Sequence, residues 1–318
     1  MPSIEKRRIV IGDVHGDRAG LREILLHARL INDRDSWTGG RSLLIQVSDV
    51  IDRGPYSREC VALLRSLQSQ APEAGGQVVR LSGNHEFMLL QGNYDYVNFS
   101  DPASLAQEIR DDVLAGKITA SFSDGSRLYT HAGLRSAVRI AVHDQVGAKT
   151  AVSRSKRGGL KKLSDRLNSV FISSLKAGDL NSHPIFHVDH VRGGGHDIGG
   201  IFWGDYSLIA ASERAYDIPQ IFGHTPTRKR SVNHCRGLKL IDIDTGISEV
   251  YGGSRVYLEI GPGSAAACLC NASHFEIPAK RIGELHLSWR LASYVEKRRA
   301  GNNHSDASRP RDCHVQSV

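Results

Sequence analysis

"VVRLSGNHEF", residues 78–87, sets a short apolar run, Val78, Val79 and Leu81, directly against a turn of Gly83, Asn84, His85 and Glu86. A β-rich run of this length bounded by Gly and Asn reads as a strand leaving into a loop. A plain polar turn is the ordinary meaning of such a stretch, because one Asn and one His cannot hold a catalytic metal by themselves. Chemistry is implied only if other strand ends carry carboxylates and imidazoles to the same place.

The pattern recurs along the chain. Apolar runs ending in polar turns are "RIVIGDVHG" (8–16), "SLLIQVSDVIDRG" (42–54), "RLYTHAGL" (127–134), "IPQIFGHTP" (218–226) and "KLIDIDTG" (239–246). Between the early runs, "DRAGLREILLHARL" (17–30) and "YSRECVALLRSLQS" (56–69) place apolar residues at three- and four-residue steps, the helical period. Strands alternating with helices predict an α/β fold. The late runs, from "LKLIDID" to "RVYLEI", lie closer together and predict antiparallel strands of a second or mixed sheet. Residues 136–200 break the rhythm with a Lys/Arg/Ser/Gly-rich loop, the helix-like "KKLSDRLNSVFISSLKAG" (161–178) and a Gly/His-rich stretch, and are read as a helical cap inserted between two core strands. The expected organisation is a catalytic domain over 1–260 with that cap, a partly helical extension over 261–300, and a disordered tail over 301–318, "GNNHSDASRPRDCHVQSV", which is almost without apolar residues.

Composition places few limits beyond this. At 318 residues, 40% hydrophobic and 24% charged, the chain is long enough to bury a full core and is ordinary for a globular protein. It shows no apolar stretch near the roughly 18 residues of a membrane span. The start, "MPSIEKRRIVIGDVHG", passes from a short basic run straight into a strand without a secretory pattern. Cys60, Cys235, Cys268, Cys270 and Cys313 are odd in number and scattered, which suits a reducing compartment, and a cytoplasmic protein without membrane partners is expected. The formal charge of +7 is mostly local: residues 149–166 hold Lys149, Arg154, Lys156, Arg157, Lys161, Lys162 and Arg166 against Asp165 alone. That reads as a solvated basic segment, with docking of an anionic partner as the alternative, and it does not make a nucleic-acid surface.

In open α/β sheets, ligands bind beyond the carboxyl ends of the strands, so the residues just past each run share one rim. They are Asp13 and His15; Asp49, Asp52 and Arg53; Asn84, His85 and Glu86; His131; and His224. Singly, each has a structural meaning: an Asp in a turn caps a helix, as Asp17 is expected to, and a lone strand-end His is usually structural. Five strand ends that all present such groups exceed what turn chemistry explains.

Here the chain resembles the calcineurin-like metallophosphoesterases, in the branch of the serine/threonine phosphoprotein phosphatases. The family pattern G-D-x-H-G, G-D-x-x-D-R-G and G-N-H-E, followed by two later histidines, stands here as Gly12 to Gly16, Asp49 to Gly54, Gly83 to Glu86, His131 and His224. The run "GNHEFMLLQGNYDYV" (83–97) looks like the bacterial, Shewanella-like type within that branch. The resemblance implies a β-sandwich of two mixed sheets flanked by helices. It also implies two divalent ions, Mn²⁺ first, with Fe or Zn as alternatives: Asp13 and His15 hold one, Asp49 bridges both, and Asn84, His131 and His224 hold the other. Oxygen and imidazole donors without thiolate suit such ions, and a shared carboxylate offsets the repulsion of two cations about 3.5–4 Å apart. By the same resemblance a bridging hydroxide attacks phosphorus directly, His85 protonates the leaving oxygen, Asp52 orients His85, Arg53 grips phosphate oxygens along with Asn84, and Glu86 supports the ligands without binding metal. The implied substrate is a phosphoprotein or small phosphomonoester. Diadenosine polyphosphate hydrolysis is the competing reaction, and a non-catalytic phosphoesterase-fold binding protein the competing class.

One departure is Ser48, where the family has Gly before the bridging Asp. Among weaker signals, "HPIFHVDHVRGGGH" (183–196) offers His183, His187, His190 and His196, read as a Gly-rich cap edge in preference to a further metal site, and Arg192, taken as a second phosphate ligand. Cys268 and Cys270 lack zinc-knuckle spacing and carry no assigned function. Trp203 in "GIFWGDYS" is expected at the wall of the site.

Overall fold

The computed structural model describes residues 6–47, 49–144, 157–211, 218–227, 231–235, 239–261, 264–270 and 313–317. The first half alternates strands and helices: β1 (Arg8–Ile11), α1 (Arg18–His27), β2 (Leu43–Gln46), α2 (Ser57–Gln70), β3 (Gln77–Leu81), α3 (Asn84–Leu90), α4 (Pro102–Leu114) and β4 (Ile118–Thr119). The Asp17 carboxylate caps α1 by accepting from Gly20 N at 2.7 Å, and Leu21, Ile24 and Leu25 bury one stripe of the helix. After β5 (Ser121–Ser123) and β6 (Leu128–Thr130) come α5 (Ser136–Asp144), α6 (Arg157–Ala177), two 3₁₀ turns at Pro184–Phe186 and His190–Arg192, and α7 (Tyr206–Ala211). The chain then returns through β7 (Gln220–Phe222), β8 (Ser231–Cys235), β9 (Leu240–Asp242), β10 (Val256–Gly261), β11 (Ser264–Leu269) and β12 (Cys313–Ser317).

Two mixed six-stranded sheets result, ordered β11-β10-β1-β2-β3-β4 and β12-β8-β9-β7-β6-β5. β1, β2, β3 and β4 run parallel in one, and β6, β7 and β9 in the other, with antiparallel strands at the margins. The two-residue period of a strand sorts the apolar side chains. Val10, Ile45, Val79, Leu81 and Leu258 join Tyr129, Ile221 and Ile241 of the facing sheet in one buried layer, while Ile9, Ile11, Leu44, Val78 and Tyr257 point the other way into the helices. Runs buried on both faces explain why these strands are continuously apolar.

The described part of the segment between β6 and β7 is packed into the main core. Ser121 of β5 hydrogen-bonds Ser164 and Asn168 of α6, and Phe186 and Phe202 stack on Phe87 of α3 at centroid separations of 5.2 and 5.1 Å. Two further strands lie toward the C-terminal end. Ser264–Leu269, in the expected extension, is a strand that extends the first sheet beside β10. Cys313–Ser317, placed in a disordered tail, pairs with β8 as an edge strand. In both cases cross-strand pairing supplies what local composition lacks. Ser48 and the basic residues Lys149, Arg154 and Lys156 lie outside the described residues; Lys161, Lys162 and Arg166 are on α6. No helix among the described residues is long and apolar enough to cross a membrane.

Candidate metal centre and active site

The parallel strands of both sheets deliver their carboxyl ends to a single cavity of about 280 Å³, lined by Asp13, His15, Asp49, Arg53, Asn84, His85, Arg192 and His224 among others. Tight turns make this convergence possible. Gly16, at φ +67°, lies so close to Gly54 that an added Cβ would fall 2.5 Å from the Gly54 carbonyl oxygen, so the turns after β1 and β2 pack backbone to backbone. A side chain at Gly223 would land on the Asp13 carboxylate. Of the eight non-glycine residues with positive φ among the described residues, His15, Asp49, Asp52, Arg53 and His224 belong to this site. Such conformations cost on the order of 1–3 kcal/mol each and persist only where surrounding contacts enforce them.

Asp49 sits at the centre. One oxygen, Oδ2, faces His15 Nε2 at 3.8 Å and His131 Nε2 at 3.5 Å; the other accepts from His85 N at 3.0 Å. His131 Nε2 also lies 2.8 Å from Asn84 Oδ1 and 3.0 Å from His224 Nδ1. The potential ligand atoms therefore form two overlapping groups, His15 with Asp49 and His85, and Asp49 with His131 and His224. Asp13 accepts from His224 N at 3.1 Å through Oδ2, leaving Oδ1 buried without a partner, as is His224 Nε2. The far nitrogens of His15 and His131 meet the carbonyls of Ile51 and Val47, both at 3.3 Å, which fixes the rings with Nε2 toward the cavity. The Glu86 carboxylate accepts from the backbone N–H of Asp49, Val50, Ile51 and Gly83, tying the β2 turn to the β3 turn.

The electrostatics show what the cluster is short of. Burial, with Glu86 and Asp244 behind it, pushes the Asp49 carboxyl up to about 8. Burial and the Asp244 and Asp49 charges hold Asp13 well above the usual carboxylate range, and burial raises Asp244 to about 7. Burial likewise drives His131 down to about 3 and His15 and His224 well below the ordinary imidazole value. Divalent charge placed among these groups would favour ionised carboxylates and neutral imidazoles together. His85 differs. Burial opposes its charge, but Asp49, and Asp52 at 2.7 Å from Nδ1, outweigh it and raise the imidazole.

The structure thus brings Asp13, His15, Asp49, Asn84, His131 and His224 into one cluster, with His85 and Asp52 paired beside it. Arg53 lies at the rim, its guanidinium 4.2 Å from the centre of the Tyr96 ring. Arg192 reaches the same cavity, held by Thr225 Oγ1 at 2.8 Å and Asp205 Oδ2 at 2.9 Å, and Trp203 forms part of the wall. The histidines of 183–196 assemble no further group of three ligand atoms among the described residues; His187 and His196 stack at 3.6 Å. Sequence reasoning missed Asp244, Tyr96, Tyr251 and Met88 of the lining. Asp244 was within reach, since it comes after β9 in "KLIDIDTG" just as Asp13 comes after β1. Met88 and Tyr96 lie in the run 83–97, which carried a family resemblance and no assigned role, and no sequence signal marks Tyr251.

Comparison with known proteins agrees with the geometry. An uncharacterized protein of Schizosaccharomyces pombe is 29% identical over 279 residues, covering 79% of this chain and 76% of that protein. Shewanella-like protein phosphatase 2 of Arabidopsis thaliana is 41% identical over 92 residues, 29% of this chain, and Shewanella-like protein phosphatase 1 of Plasmodium berghei is 43% identical over 90; the matches span 24% and 25% of those two proteins. Among solved structures, the cold-active protein-tyrosine phosphatase of a psychrophile Shewanella sp. shares the fold, with a TM-score of 0.61 at 20% identity over 86% of this chain and 81% of that one. The calcineurin-like phosphoesterase family model matches residues 6–228, and with the motifs of those residues gathered at one cavity, the chain belongs to the calcineurin-like phosphoesterase family and is a phosphoric ester hydrolase of the phosphatase type.

Proposed function

We propose that the protein is a dinuclear metal-dependent phosphomonoesterase acting on phosphoserine or phosphothreonine in proteins, in a cytoplasmic setting. The observation that carries the dinuclear reading is the position of Asp49 Oδ2 between His15 Nε2 and His131 Nε2, imidazoles contributed by opposite sheets. Asp13 and His15 would hold one ion, Asn84, His131 and His224 the other, and Asp49 both; the unpartnered Asp13 Oδ1 and His224 Nε2 support that assignment. Two divalent ions there, Mn²⁺ in the first instance and Fe or Zn otherwise, supply Lewis acidity and lower the pKa of water near neutral pH.

The chain's own residues do the rest. Arg53 and Arg192 flank the cavity and bind the non-bridging phosphate oxygens, with the Asn84 amide beside them. Water attacks phosphorus in line, opposite the ester oxygen. His85, whose imidazole is raised by Asp49 and by Asp52 at its Nδ1, donates its Nε2 proton to that leaving oxygen. A serine or threonine alkoxide is a poor leaving group and needs that proton, whereas a departing nucleotide phosphate does not, which favours monoesters over diadenosine polyphosphates. The 41% identity over 81 residues to serine/threonine-protein phosphatase 1 of Salmonella typhimurium, 26% of this chain and 30% of that protein, supports a protein substrate.

The test is metal-reconstituted protein assayed on a chromogenic monoester, phosphoserine, phosphothreonine and phosphotyrosine peptides, and diadenosine tetraphosphate. Preference by kcat/KM for phosphoserine or phosphothreonine peptides is expected. A preference for phosphotyrosine would replace the substrate class, and a preference for diadenosine tetraphosphate would replace the reaction while leaving the metal site in place.

A further inference from the structure

Arg53 occupies an unusual position for a group that must be aimed. It comes directly after Asp52, and both residues are left-handed, at φ +69° and +65°. Its Nε is buried without a hydrogen-bond partner, and among the described residues its guanidinium makes no ion pair. Arg192, by contrast, is anchored by both a hydroxyl and a carboxylate. A long side chain without a polar anchor would swing into solvent unless something else holds it.

The loop between α3 and α4 does so from three sides. Arg53 N donates to the Tyr96 carbonyl at 3.4 Å, and Asn98 Nδ2 donates to the Arg53 carbonyl at 3.3 Å, so both backbone groups of this left-handed residue are clipped by residues 96–98. The third contact is the Tyr96 ring beneath the guanidinium, 4.2 Å from its centre. The same ring meets His85 edge-on at 5.4 Å, yet Tyr96 is 43% exposed, so it stands at the cavity mouth between the phosphate-binding and proton-donating groups. An aromatic face attracts a guanidinium through its quadrupole and gives it no competing acceptor, which leaves the N–H groups free for phosphate. A carboxylate in the same place would occupy those donors.

We propose that Tyr96 is a positioning residue: its ring and backbone clip Arg53 into the orientation that binds the substrate phosphate. This deepens the reading above and rests on Arg53 being a phosphate ligand. The test measures the Kd of inorganic phosphate by calorimetry, and KM for a chromogenic monoester, on the metal-loaded full chain. Tyr96→Leu keeps bulk but removes the π face, and should weaken phosphate binding by about 3- to 30-fold, the range a partly desolvated cation–π contact supports, with KM rising in parallel. Tyr96→Phe retains the ring and should bind phosphate within about twofold of the parent. In an Arg53→Ala background, Tyr96→Leu should add less than about a further twofold, because the coupling needs both partners. Parent-like phosphate binding in Tyr96→Leu, a Tyr96→Phe variant as weak as Tyr96→Leu, or the full Tyr96→Leu loss persisting without Arg53 would each overturn the clip. Undiminished phosphate binding by Arg53→Ala alone would instead locate the failure in the assignment of Arg53.

Discussion

Glu86→Gln should be among the most damaging isosteric changes in this chain, although Glu86 binds neither metal nor substrate in the proposed scheme. One carboxylate oxygen accepts from Val50 N at 2.8 Å and Ile51 N at 3.3 Å; the other accepts from Gly83 N at 2.9 Å and Asp49 N at 3.2 Å. The residue is 3% exposed, so water cannot substitute. A glutamine has one oxygen, and whichever way its amide lies, two backbone N–H groups face an NH₂. Hydrogen bonds to a charged group contribute roughly 1.5–3 kcal/mol each, so losing two costs about 3–6 kcal/mol before relaxation, against a total stability of about 5–15 kcal/mol for a typical domain. Because one of the lost donors is Asp49 N or its neighbours, the bridging carboxylate should shift as well. The assay pairs urea unfolding of the metal-free chain with calorimetric metal titration. A loss of at least about 3 kcal/mol in stability together with weakened metal binding is expected. A variant within about 0.5 kcal/mol of the parent, the scale of an ordinary surface change, with unaltered metal binding would refute the claim that Glu86 ties the two turns together.

The same geometry sets other outcomes. His85→Asn should lower turnover of alkyl phosphates by roughly 10²–10⁴-fold, the usual contribution of a general acid, and aryl phosphates much less; equal losses on both, measured as kcat, would argue against proton donation. Chelator should abolish activity and Mn²⁺ restore it with two ions bound per chain, and Asp49→Asn should reduce occupancy and turnover together, read by metal analysis beside rates; retention of two ions by that variant would remove Asp49 from the bridging position. At Asp35, burial would raise the carboxyl, but Arg18 and Arg22 outweigh it and hold it below the usual range. Its folded value lies below the unfolded one, so the contribution is present above about pH 4 and fades as pH falls through the folded value. Asp35→Asn should therefore destabilise at pH 7 and much less near pH 3, tracked by unfolding midpoints; a gap independent of pH would contradict the pairing.

Much of the site was legible because parallel strands carry a rule: the residues just past the end of each apolar run converge at one sheet edge. Asp13, Asp49, Asn84, His131 and His224 each come after a strand, β1, β2, β3, β6 and β7 in turn, so chain order alone grouped residues up to 211 positions apart. The same rule extends to Asp244 after β9, which sits in the lining without belonging to any of the motifs. Tertiary structure alone decided the rest. Composition could not give strand character to Ser264–Leu269 or Cys313–Ser317, since an edge strand is made by the partner it pairs with, here β10 and β8. Nor could it place Tyr96 on Arg53, a contact across 43 positions between two loops whose backbones meet only after the sheets have formed. Motif spacing reflects local backbone geometry, which the sequence by itself determines; which loop covers which turn depends on packing, which only the folded chain can determine.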